Sequence, residues 1–261
     1  PRNRNGCGNV WSSAAVDVGR STLYFASSNC DSEAEDVSFR PGPIMPPHDC
    51  AITALTLDGS LAWTWRPREI DNGDLSFGAV PNLFQIQTTT IPGGEAITVD
   101  VVGVGSKDGT YYVMDREGIN KRYTEQVVDH RSADFLYWST KVVPGGSFSG
   151  IIATAAVDQQ RERVYFSSPY QSLTNPQRPN VHALALNTGE VVWQRELPLG
   201  SFAPTSAIPG VVFTGDVLTK IHAWDADTGE QLWSSPDIGN TSVASGVVVN
   251  DSLILVDFVN R

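Results

Sequence analysis

Four histidines, His48, His130, His182 and His222, are the side chains best suited to hold a metal or carry a proton near neutral pH. They are scattered, with no His-Glu-x-x-His pair and no Cys/His knuckle, so no zinc-type site is written in their spacing. The glycine-rich run GVGSKDG (Gly103 to Gly109) looks like a phosphate cradle, but it lacks the Gly-Lys-Ser/Thr ending and the helix that would aim amides at a phosphate. DADTGE, from Asp225, opens like a calcium loop, yet it sits inside a repeated hairpin, where an Asp more simply accepts turn amides. Whatever chemistry the chain performs must come from residues brought together by its fold.

That fold is announced by repetition. ALALNTGEVVW ends at Trp193 and AWDADTGEQLW ends at Trp233, forty positions later, a spacing typical of one propeller blade. In each copy an alternating strand enters a Thr-Gly turn, where Gly supplies the positive φ of a tight hairpin, and a second strand ends in Trp. Degenerate copies are ALTLDGSLAW, ending at Trp63, and VMDREGINKRY, from Val113, with Tyr123 in the place of Trp. A second repeat, AAVDVGRSTLYFASS (Ala14 to Ser28) and AAVDQQRERVYFSS (Ala155 to Ser168), supplies the inner strands.

No window keeps helical apolar spacing, while Val, Ile, Thr and aromatic residues alternate between Gly, Pro, Asn and Asp, so the chain reads as all-β. A single partial β-propeller domain is expected over 1–261, with four-stranded blades at about 10–65, 78–124, 150–195 and 202–235 and a half-blade at 242–261. A propeller hides its strand edges by closing its ring, and nine residues ahead of the first inner strand cannot complete a fifth blade. An incomplete ring is therefore expected, its remainder supplied by a longer precursor, a separate polypeptide or a second copy through the open β-edge.

A net charge of −11 repels phosphate backbones, which argues against nucleic acid as a partner. No run of eighteen apolar residues exists to span a bilayer as a helix. The acidic, Pro-rich stretch from Asp31 interrupts the first blade, and Cys30 and Cys50 flank it; a staple there would close a roughly 20-residue ring worth about 3 kcal/mol. Cys7 is left over, and pairing among the three is open. These cysteines, the exposed acidic loop and the sequons at Asn240 and Asn250 favour a periplasmic or extracellular setting, and the start at Pro1 without Met suggests a processed or excised product.

The repeat A-x-D-x-x-T-G-x-x-x-W, intact from Ala223 to Trp233, resembles the tryptophan-docking motif of the quinoprotein dehydrogenases, eight-bladed propellers that hold pyrroloquinoline quinone. GCGNVWSSAAVDVGRSTLYFASSN (Gly6 to Asn29), DLSFGAVPNLF (Asp74 to Phe84) and VGVGSKDGTYYVMDREG (Val102 to Gly118) resemble the polyvinyl alcohol dehydrogenase branch, over its middle and later blades. The resemblance implies that Trp11 forms the floor on which the planar quinone stacks. Asn29 would ligate an active-site calcium through its amide oxygen. Lys107 would contact the quinone oxygens and stabilise negative charge developing there.

One position departs from the pattern. Where the family carries its catalytic aspartate, this chain has Ser76, which cannot serve as a base near neutral pH unless another group activates it. Asp74, two residues earlier, would share a face with Ser76 in an extended strand, displaced by about 7 Å, and could substitute only after a local shift or bulge. Two readings follow. One is a segment of a secreted, calcium-assisted quinoprotein alcohol dehydrogenase acting on a small alcohol; the other is a non-catalytic propeller of the same ancestry serving as a binding, scaffold or structural module.

Overall fold

The computed structural model describes residues 9–28, 48–68, 71, 73–89, 93–120, 135–169, 179–198, 200–217, 220–237, 243–249 and 252–257. The first sheet contains β1 (Ala15–Asp17), β2 (Thr22–Ala26), β3 (Ile52–Thr56) and β4 (Leu61–Trp65). The second contains β5 (Asn82–Thr89), β6 (Ala96–Gly105), β7 (Thr110–Asp115) and β8 (Leu136–Lys141). The third is β9 (Ala156–Asp158), β10 (Arg163–Ser167), β11 (Val181–Ala185) and β12 (Val191–Arg195). The fourth is β13 (Ser206–Ile208), β14 (Val211–Gly215), β15 (Ile221–Asp225) and β16 (Gln231–Ser234), followed by the hairpin β17 (Val243–Val249) and β18 (Ser252–Asp257). Every four-stranded sheet is an antiparallel meander in chain order, which is the β-propeller expected: four complete blades and two strands of a fifth. Among the described residues there is no helix long and apolar enough to cross a membrane.

Turn chemistry explains the meander. Asp225 Oδ1 accepts the amides of Asp227 and Thr228 and the Thr228 hydroxyl, while Gly229, at φ +70°, takes the left-handed corner. The DADTGE carboxylate is thus occupied as a turn former. GVGSKDG likewise ends β6 with its first three residues and makes the corner to β7 with residues 106–109, Gly109 being at φ +88°.

Each third strand carries a bulge one step past the residue that faces the outer-strand Trp: Ala54 faces Trp63, Val113 faces Trp138, Ala183 faces Trp193 and Ala223 faces Trp233. The second blade differs here from the sequence reading. Its outer strand is Leu136–Lys141, with Trp138 in the repeated position, so the blade extends past 124; Tyr123 lies outside the described residues.

Those tryptophans join one sheet to the next. The Trp63 indole N–H donates to the Arg116 carbonyl (2.9 Å) and its ring lies against Gly118; Trp138 donates to Leu186 (3.0 Å) over Gly189; Trp193 donates to Ala226 (3.0 Å) over Gly229. All three are buried, and about 200 Å² of ring removed from water at about 25 cal/mol per Å² is worth up to about 5 kcal/mol each. Three apolar clusters fill the spaces between consecutive four-stranded sheets. At the ends the same devices stand open. Trp233 is 47% exposed, and a Cβ added at Gly59, the first blade's turn glycine, would meet nothing within 4 Å.

Cys7 and Cys30 lie outside the described residues. Cys50 is a buried thiol that donates to Asp71 Oδ2 (3.0 Å). Burial and the neighbouring Asp71 carboxylate push its pKa up, leaving it protonated.

Candidate functional site

The connection from β4 to β5 is the scaffold of the site. Asp71, 3% exposed, accepts the Gly73 amide through Oδ1 (3.0 Å) and, through Oδ2, the Leu75 amide (2.8 Å) as well as the Cys50 thiol. Between the two captured amides, Asp74 is held at φ +50°, a left-handed conformation that costs an ordinary residue roughly 1 kcal/mol. Residues 73–80 form no strand, so the extended register supposed for Asp74 and Ser76 is absent; a turn takes its place.

That turn carries the Asp74 carboxylate to Lys107, whose Nζ lies 2.6 Å from Asp74 Oδ2. Lys107 belongs to the β6–β7 corner and is nearly buried, whereas Asp74 is partly exposed. The two segments are tied along their backbones: Lys107 N–H donates to the Ser76 carbonyl (2.9 Å), and the Leu75 carbonyl accepts from Ser106 Oγ (3.2 Å) and Arg68 Nη1 (2.7 Å). Arg68 also pairs with Asp108, which accepts the Tyr112 hydroxyl at 2.6 Å. Ser76 is buried and supplies a backbone acceptor.

Trp11 reaches the next peptide of the same segment. Its indole N–H donates to the Phe77 carbonyl (3.1 Å), and its ring crosses Gly78, where a Cβ would stand 2.6 Å from Cζ2. With 52% of its surface exposed, Trp11 offers a flat aromatic face rather than filling a core. Consecutive carbonyls, Ser76 and Phe77, therefore bind Lys107 and Trp11, and Asp74 sits two residues upstream. Asn29 lies outside the described residues.

A planar, electron-poor ring fits this arrangement: an exposed indole face, a glycine beneath it, and an ammonium held on the same backbone segment. For calcium the described residues supply less. No three His, Cys, Asp or Glu side chains converge among them, and the Asp74 carboxylate already engages Lys107. The buried histidines belong elsewhere: His182 stacks on Phe166 and touches Ser168 and Gln194, and His222 bonds Asp216 Oδ2 at 2.9 Å.

Sequence reasoning named Asp74, Lys107 and Trp11 but missed Asp71, Cys50, Arg68, Asp108 and Tyr112, which position them. One local signal was available, since Asp71-Asn72-Gly73 is a turn signature.

A family model described as outer membrane protein assembly factor BamB matches residues 177–257. A polyvinylalcohol dehydrogenase of Pseudomonas sp. is 24% identical over 255 residues, covering 87% of this chain and 34% of the relative. Among solved structures, a europium-containing methanol dehydrogenase superposes with a TM-score of 0.68 at 16% identity, covering 92% of this chain and 48% of that one. Quinohemoprotein alcohol dehydrogenase ADHIIG of Pseudomonas putida HK5 gives 0.65 at 18% identity, covering 97% and 44%. These matches bear out the resemblance to quinoprotein dehydrogenases read from the sequence, and the superpositions bear out the propeller. The chain spans about a third of the length of the curated relative it matches.

Proposed function

We propose that this chain supplies one wall of an alcohol-oxidising site that uses pyrroloquinoline quinone, within a larger propeller exported to the periplasm or the cell exterior. The observation that carries this reading is the Lys107–Asp74 pair, tied through residues 76 and 77 to the exposed Trp11 ring. Pyrroloquinoline quinone, held against Trp11 and Lys107, would supply the acceptor for the hydride leaving the alcohol carbon. Trp11 orients a flat ligand, and Gly78 leaves the indole room to lie across the segment. Lys107 places a fixed positive charge where negative charge develops. Asp74, partly exposed and already in a turn that aims it at Lys107, takes the hydroxyl proton. Ser76 takes no part as a base. Asn29 is the residue of this chain that would contribute to a calcium site, the other ligands coming from the missing sector.

The partner in this reading is the remainder of the ring. Among the described residues, Gly59 and Trp233 are unfilled halves of a contact made three times internally, and each is where further propeller structure would dock. The test is made on the complete ring, with quinone and calcium added. A raised melting temperature and dye reduction by small alcohols are expected, both weakened by Lys107→Ala. No thermal shift and no dye reduction would leave the non-catalytic scaffold as the correct description.

A further inference from the structure

Asp71 makes none of the contacts expected of a residue that meets a ligand, yet it is a fully satisfied carboxylate buried directly behind the candidate site. Burying a charge is costly unless several donors meet it, and here three do: two amides that bracket Asp74 and the Cys50 thiol. Because Gly73 and Leu75 are both captured, the intervening residue has little backbone freedom, and Asp74 is found at φ +50° with its carboxylate on Lys107. On the far side the Leu75 carbonyl is held by Arg68 and Ser106, so the turn is clamped at both of its polar faces.

We propose that Asp71, steadied by the Cys50 thiol, is the positioning residue that imposes the left-handed turn at Asp74 and so sets the Asp74–Lys107 pair. Its catalytic meaning rests on the function proposed above; the coupling itself does not. Asn at position 71 keeps one acceptor oxygen but puts an NH2 where the other stood, so it cannot serve both amides. Serine at position 50 keeps a donor toward Asp71, whereas alanine removes it.

Accessibility of Lys107 to reductive methylation, read by peptide mass spectrometry, separates positioning from mere support and needs no quinone. Freeing the ammonium from a charge-assisted hydrogen bond raises its labelling rate by about tenfold in Asp74→Asn. Asp71→Asn is expected to match that rise, and the double variant to add nothing. Cys50→Ala should give a smaller rise and Cys50→Ser none. If Asp71→Asn keeps the wild-type Lys107 rate, the positioning role is wrong, even should its melting temperature fall. Were Asp71→Asn not to fold, hydrogen exchange of the unaltered chain decides: the Gly73 and Leu75 amides are expected to be protected, and free exchange of Leu75 overturns the clamp. Absence of quinone binding alongside intact Lys107 coupling would remove the function and leave this inference standing.

Discussion

Lys107 meets the Asp74 segment twice, with Nζ 2.6 Å from the Asp74 carboxylate and its own backbone N–H 2.9 Å from the Ser76 carbonyl. The side-chain pair is thus built on a peptide-to-peptide contact and does not depend on two long side chains finding each other.

Under the function proposed above, the base is Asp74 and not the serine in the family position. In the complete, quinone-loaded ring, Asp74→Asn is expected to lower kcat by about 10²–10⁴, as for loss of a general base, and Lys107→Ala by about 10²–10³. Ser76→Ala should stay within about threefold of the unaltered protein, since what Ser76 gives the site is the backbone carbonyl that Lys107 N–H meets, and alanine keeps it. Steady-state dye reduction checks all three; a Ser76→Ala loss equal to that of Asp74→Asn would reverse the assignment.

Gly78→Ala tests the floor. The added methyl cannot coexist with the Trp11 ring, but that ring is half exposed and free to swing aside. The stability cost should therefore stay near 1 kcal/mol, while the quenching of tryptophan fluorescence by added quinone disappears.

The turn glycines report which blade faces are covered. Gly59→Ala and Gly229→Ala both force alanine into a left-handed corner, at about 1 kcal/mol. At Gly229 the methyl also strikes the Trp193 ring at 2.6 Å, which adds about 1–3 kcal/mol. Urea midpoints should separate the two in this chain and converge once a further blade covers Gly59.

His182 sets an acid limit on stability. Complete burial lowers its pKa to about 3, from an ordinary value near 6.5. The unfolded chain therefore takes up a proton below about pH 6.5 that the fold refuses, and stability falls by about 1.4 kcal/mol per pH unit between about 6.5 and 3. Asp17 acts in a lower window. Burial alone would raise its pKa, but hydrogen bonds from Arg116 and Arg20 outweigh it and hold the carboxyl below its ordinary value of 3.8, so its contribution is lost only as pH falls beneath about that value. Denaturant titrations between pH 7 and 4.5 should show the His182 slope, and His182→Gln should flatten it.

The blades were legible because their information is local: an Asp or Thr that captures its own turn, a glycine at the corner and a tryptophan four residues on. The second blade's outer strand escaped because Trp138 lies twenty residues beyond Gly118, outside that spacing. Lys107 and Trp11 were found through longer matching segments. The Asp74 turn could not be read, because it is imposed by Asp71 together with Cys50 and Arg68, residues whose proximity only the folded sheets create. Placing Asp74 and Ser76 on one face of an extended strand had no such information to correct it.

The indole-on-glycine contacts make each sheet depend on its neighbours and on little else, a nearly one-dimensional arrangement. Such a chain melts inward from its termini rather than all at once. Amide protection should be deepest in β7 and β11, flanked on both sides, and shallowest in β17 and β18, so that thermal unfolding broadens here and sharpens when additional units buttress the ends.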